Sequence, residues 1–200
     1  MEIHSVWTFL LALAAGIALS AACGLRAFLP LLAVGLAARF HLYNLSPGLL
    51  WLQSGVALTA FGIATVVEIV GDKIPVVDHV LDSIGTVVRP AAAWLGATAV
   101  LSQLGQPWSA MLGVVLGTGS LAVHALKAKT RVGSSVATLG AANPVLSFVE
   151  DGTTFGLVAS AILAPLIALI GVIVLIWLLA RVMKRREDAR EPIEPVQPPR

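Results

Sequence analysis

Residues 5–23 read SVWTFLLALAAGIALSAAC, an unbroken apolar run with no charged side chain. As a helix rising 1.5 Å per residue it extends about 28 Å, close to the roughly 30 Å hydrocarbon thickness of a bilayer. Further apolar runs follow at 27–40, 49–70, 91–105, 109–126, 132–149 and 156–182. Those at 49–70, 109–126 and 156–182 are again long enough to span. The runs at 27–40 and 91–105 are short, and 132–149 is rich in Gly, Ser, Ala and Thr, so these three are expected to be tilted, half-buried or re-entrant. Residues 5–40 cannot form one helix, because it would measure about 54 Å. Gly24, Arg26 and Pro30 mark the expected break.

Composition agrees with this reading. Of 200 residues, 58% are hydrophobic and 12% charged, with a mean hydropathy of +0.91. Soluble chains carry about 25% charged residues. At about 20 residues per crossing, the apolar content suffices for roughly five or six spans. The predicted fold is therefore all-α, a polytopic transmembrane helical bundle of about seven hydrophobic segments. It occupies residues 1–183, and a charged, proline-rich tail over 184–200 is expected to be disordered. The apolar runs are continuous rather than alternating, which argues against a membrane β-barrel. A signal peptide is not expected, because Glu2 and His4 precede the first run where a leader carries Lys or Arg.

Charge placement predicts orientation. KRREDAR at 184–190 follows the last run and reads as a cytoplasmic anchor. Counting back through seven crossings puts Lys127, Lys129 and Arg131, then Lys73 and Arg89, then Arg26 on the same side, with Arg39 opposite. No basic stripe with interleaved aromatics suggests nucleic acid, and the single cysteine, Cys23, excludes an internal disulfide. The expected partners are the lipid bilayer and a small ion or polar solute.

Small residues recur every fourth position at Ala12, Gly16, Ser20 and Gly24, and again at Gly113 and Gly117. Such stripes let helix backbones approach closely in lipid.

Outside Glu2 and the tail, the acids are Glu68, Asp72, Asp78, Asp82, Glu150 and Asp151, in two clusters. Glu68 and Asp72 lie four apart and would share a helix face, where like charges repel. Asp78 and Asp82 repeat that spacing, and 76–88 reads as an amphipathic helix at the membrane surface. Carboxylates at the hydrocarbon boundary persist when they hold a proton, a cation or a basic partner. The basic partners at hand are Arg26, Lys73, Arg89 and Lys127. The alternatives are thus an ion or proton site, an internal ion-pair network, and solvated charge. In NPVLSFVEDGTTFG (143–156), Asn143-Pro144 suggests broken helix, and Glu150 and Asp151 read either as part of a cation or polar-substrate site or as an ordinary extracytoplasmic loop that caps the last span.

The strings GLRAFLPLLAVGLAAR (24–39) and ALKAKTRVGSSVATLG (125–140) form a weak internal echo that aligns Arg26 with Lys127. Transporters often place sites between such repeats. On this reading Glu68 and Asp72 bind the ion, Glu150 and Asp151 form an opposing acidic pair, and Arg26, Lys73 and Lys127 are counter-charges. Asp78 and Asp82 supply an acidic face. The histidines lack metal-ligand spacing such as H-E-x-x-H, and there is no nucleophile elbow or phosphate loop. No cofactor and no enzymatic activity are expected. The rival readings are a membrane scaffold and a protein that handles lipid head groups near Arg26, Arg89, Asp78 and Asp82.

At GLRAFLPLL (24–32), EIVGDKIPVVDHVLDSIGTVVRP (68–90) and NPVLSFVED (143–151) the chain resembles a bacterial membrane family known as domain of unknown function 4126. The resemblance covers nearly everything before the tail. It implies a multi-pass protein of the bacterial inner membrane and brings no established activity. EIVGDK (68–73) also resembles the E-x-G-D-K motif of cation/proton exchangers related to the Golgi manganese–calcium transporter, with one extra residue between Glu68 and Gly71 and no second copy.

Overall fold

The computed structural model describes residues 3–139 and 141–188. All regular structure among them is helical: α1 (Ile3–Leu25), α2 (Phe28–Arg39), a 3₁₀ segment (Pro47–Gln53), α3 (Gly55–Gly71), α4 (Pro75–Val100), a 3₁₀ turn (Leu101–Leu104), α5 (Trp108–Thr138), α6 (Asn143–Leu163) and α7 (Pro165–Asp188). The predicted tail beyond Asp188 lies outside the described residues, as does the side chain of His79. Five of these helices are long and apolar enough to cross a membrane. The 3₁₀ segment and α3, bent by 59°, make up to six if they form one span. This is an all-α polytopic transmembrane bundle.

Helix α1 forms its axis, because its small residues admit close neighbours. A Cβ on Gly24 would sit 2.6 Å from the Ser120 carbonyl oxygen, and the Ser20 hydroxyl donates to the Leu116 carbonyl. The stripe that starts at Ala12 thus seats α5. Gly117 in turn lets α5 lie against α4, where an added Cβ would come within 2.8 Å of the Pro90 carbonyl. Packing at such distances replaces the hydrophobic driving force that lipid removes.

Four expected boundaries are corrected. The segment 76–88 is not a surface helix: it runs through Pro90 into the next predicted span as α4. Its acidic stripe faces α5, and Val80, Ile84 and Val87 are exposed on the other side. That is the polarity of a helix with lipid outside and charge inside. Residues 127–131 are not a loop, because nothing in ALKAKTR breaks a helix and α5 continues to Thr138. Asn143-Pro144 does not interrupt a helix either. It starts α6, since proline fits the first turn, where its missing N–H has no intrahelical partner. The break comes instead at Ala164-Pro165, so Glu150 and Asp151 lie mid-helix rather than in a capping loop. Helix α7 continues into the segment that composition assigned to the tail.

These boundaries bring the C-terminal ends of α1 and α3, the N-terminal ends of α2 and α4, the C-terminal half of α5 and the N-terminal half of α6 to one end of the bundle. The opposite end is marked by Tyr43 donating to the Ala161 carbonyl at 3.3 Å and Ser46 N–H donating to the Ser102 hydroxyl at 3.4 Å. Exposed Trp7, Trp51 and Trp108 lie towards it, as tryptophans do at a membrane interface. Trp7 to Arg26 and Trp108 to Lys127 are equally far apart in sequence, about 28 Å of helix. The charged end therefore lies one hydrocarbon thickness from the tryptophans.

Candidate functional site

Asp72, just past the end of α3, is the centre of the charged end. Its side chain is 0% exposed, and one oxygen, Oδ2, meets three cations: Arg26 Nη1 from the α1–α2 link at 2.7 Å and, both from α5, Lys127 Nζ at 3.2 Å and Arg131 Nη2 at 3.1 Å. Burial alone pushes the Asp72 carboxyl up. The charges of Lys127, Arg26 and Arg131 outweigh it and hold the group below the ordinary carboxylate value.

Lys127 and Arg131 are one helical turn apart on α5 and share a face. Arg131 forks onto Glu150, with Nε to Oε1 at 3.2 Å and Nη2 to Oε2 at 2.6 Å, the bidentate geometry that favours arginine over lysine. It also donates to the Ser147 hydroxyl at 2.9 Å and pairs with Asp78. Lys127 reaches Glu150 at 3.3 Å and the Leu25 carbonyl at 3.2 Å. Arg26, 0% exposed, pairs with Asp151 through its other terminal nitrogen. Lys73 joins Asp151 at 3.2 Å and sits 4.7 Å above the Phe148 ring.

Glu68 does something else. Its carboxylate accepts from the backbone N–H groups of Ala27 at 3.0 Å and Phe28 at 3.3 Å. These are orphan donors at the start of α2, a helix whose own N-cap residue, Ala27, has no side-chain acceptor. A negative charge there also suits the helix dipole. The Glu68 backbone carbonyl accepts from Arg26 Nη1 at 2.8 Å, so α1, α2 and α3 are tied at one point.

Asp82 faces Arg89 at 3.1 Å, and Arg89 contacts His124 Nδ1. A guanidinium can only donate, so that ring nitrogen is an acceptor. Asp78, ahead of the membrane window of α4, responds differently from Asp72. Burial dominates, Arg131 offsets only part of it, and the carboxyl sits above the ordinary value.

A cleft of about 930 Å³ opens between α4, α5 and the start of α6, with Asp72, Lys73 and Arg131 among its lining residues. Asp78, Asp82 and Asn143 belong to its polar lining, and Val132, Val136 and Leu139 to its apolar side.

All nine residues predicted for the site meet at this end. Arg26 and Lys127 pair with Asp72 as counter-charges, and Glu150 and Asp151 enter the same network from α6. That places them on the side of Arg26 and Lys127, not the opposite side that a loop between separate spans would require. Glu68 and Asp72 do not act as a pair, since one caps α2 and the other holds three cations. Sequence reasoning missed the weight of Arg131. Its four-residue spacing from Lys127 was the available signal, hidden by reading 127–131 as a loop. Among the described residues no group of three or more His, Cys, Asp or Glu is arranged to hold a metal ion.

No curated protein matches this chain, and no solved structure matches it. A family model does. It is described as a domain of unknown function, DUF4126, and it covers residues 13–185, a stretch that contains every residue of the network. The chain belongs to the DUF4126 family.

Proposed function

We propose that this protein binds a small ion or polar solute in the cleft beside Asp72 and passes it across a bacterial inner membrane without catalysing a reaction. The observation that carries this reading is the sharing of one Asp72 oxygen by three cations, Arg26 from the α1–α2 link and Lys127 and Arg131 from α5. Pairing keeps the empty site electrically tolerable in a low-dielectric surrounding. A solute that competes for any one partner releases a base to its second acid, so occupancy is coupled to the relative positions of α1, α4, α5 and α6. The same charges support a cytoplasmic C-terminus. The network's bases and the exposed Arg181, Lys184 and Arg185 of α7 fit the excess of Lys and Arg on the cytoplasmic side.

A scaffold role has its own support in the degree of mutual neutralisation, since a fully paired network also staples helices without moving anything. Proteoliposomes separate the two. The full chain is expected to carry protons, radiolabelled rubidium or methylammonium above the level of empty vesicles, and Asp72→Asn or Asp82→Asn to abolish that flux. No flux of any of the three through the natural sequence, or flux indifferent to both substitutions, overturns the transport reading.

A further inference from the structure

We propose that the cleft between α4 and α5 is a binding site for a primary organic amine with an apolar body, and this deepens the solute-binding reading given above. Three features of the lining define the ligand.

The first is the sign of what is missing. Two buried side-chain atoms of cleft-lining residues have no hydrogen-bond partner among the described residues, Asp72 Oδ1 and Asn143 Oδ1. Both are acceptors. A buried acceptor without a donor is costly, so the group that fits here brings N–H or O–H donors. The Asp72 side chain is fully buried, and its other oxygen already holds three cations.

The second is charge. Asp78 and Asp82 stand one turn apart on the α4 wall, with side chains 14% and 21% exposed. Each gives its Oδ1 to one arginine. Arg131, the partner of Asp78, is at the same time committed to Asp72, Glu150 and Ser147. Among the described residues each carboxylate meets an arginine through one oxygen only. Although Lys73 and Arg131 also line the cleft, the second oxygens of Asp78 and Asp82 suit a cationic N–H donor.

The third is the opposite wall. Ala128, Val132 and Val136 recur every fourth residue of α5 and lead to Leu139, and the last three are 63%, 68% and 97% exposed. An inorganic cation has no use for such a stripe, whereas an alkyl or aryl chain gains from each methylene it buries there. The volume matches the 300–1,000 Å³ of sites for drug-sized ligands, so the occupant is a free amine rather than a whole phospholipid.

Calorimetric titration of the full chain in phosphatidylcholine nanodiscs tests this, with empty nanodiscs as reference. Hexylammonium is expected to bind. Hexyltrimethylammonium, equal in charge but without N–H donors, and methylammonium, without the chain, are each expected to bind at least tenfold more weakly. Asp82→Asn should weaken hexylammonium at least tenfold. Val136→Ser, an exposed position that leaves the bundle intact, should weaken it several-fold with no effect on methylammonium. Equal affinity for hexyltrimethylammonium removes the donor requirement, and equal affinity for methylammonium removes the apolar wall. Hexylammonium binding indistinguishable from empty nanodiscs, or indifferent to both substitutions, overturns the site. If adding phosphatidylethanolamine to the nanodiscs raises the apparent Kd for hexylammonium more than tenfold, the occupant is a lipid head group and the free amine is wrong. If the amine fails while rubidium or proton flux still depends on Asp72, the ligand class falls and the solute-site reading stands.

Discussion

The two ends of the bundle are built from the same helices and hold opposite chemistry. At the tryptophan end, neutral hydrogen bonds join the loops, and among the described residues Arg39 reaches only the Gln53 carbonyl, at 3.2 Å in an exposed position. At the other end, α4, α5 and α6, with Arg26 after α1 and the turn after α3, contribute the acids and bases of one buried network. The difference shows where this protein concentrates the cost of desolvating charge. Removing one member of a buried, hydrogen-bonded set strands its partners, whereas an exposed arginine simply returns to water.

The largest expected effect follows. Arg131→Met should destabilise the protein by about 3–5 kcal/mol, because Asp72, Asp78 and Glu150 lose a shared partner. Arg39→Met at the opposite end should change stability by no more than about 1 kcal/mol. Thermal or denaturant unfolding in detergent micelles measures both, and equal effects would erase the distinction between the ends.

Next is the packing that holds the ends in register. Gly24→Ala should cost about 1–3 kcal/mol, since the new methyl group meets backbone at Ser120 and α1 must separate from α5. Smaller is Glu68→Gln, which keeps the shape but removes the charge from the start of α2, at about 0.5–2 kcal/mol. Its signature is local: faster amide exchange at Ala27 and Phe28 with the Asp72 contacts unchanged.

Acid titration sharpens the contrast within the network itself. The lowered pKa of Asp72 means that its stabilising contribution is complete above the unfolded value of about 3.9 and is lost only as pH falls through a lower folded value. Asp78 is shifted the other way, so the folded protein protonates it first and gains stability relative to the unfolded chain as it does so. Isotope-edited infrared spectra should show the Asp78 carbonyl band appearing at higher pH than that of Asp72. The reverse order would contradict the assignment of Asp72 as the hub.

Much of this was readable from residues. Continuous apolar runs define the class, the small-residue stripe of α1 names its packing face, and the scarcity of charge singles out the network's acids. Arg26 and Lys127 were identifiable as partners of Asp72 because few other bases exist. What the sequence left ambiguous has physical causes. An X-Pro step both ends helices and begins them, so Asn143-Pro144 did not decide whether Glu150 and Asp151 lie in a loop or in α6. Charged residues within α5 resemble a loop until their partners are known, and those partners come from other helices. The cap that Glu68 provides answers donors at the start of α2, a need no local pattern displays.

The most direct measurement of the central claim, that charges from different helices form one buried network, is a double-mutant cycle on Arg131 and Glu150. Unfolding free energies of Arg131→Met, Glu150→Leu and the double variant should yield a coupling of about 1–3 kcal/mol, with the double variant less damaged than the two single losses combined. Additivity within about 0.5 kcal/mol would mean that the two side chains do not meet, and the network would be wrong.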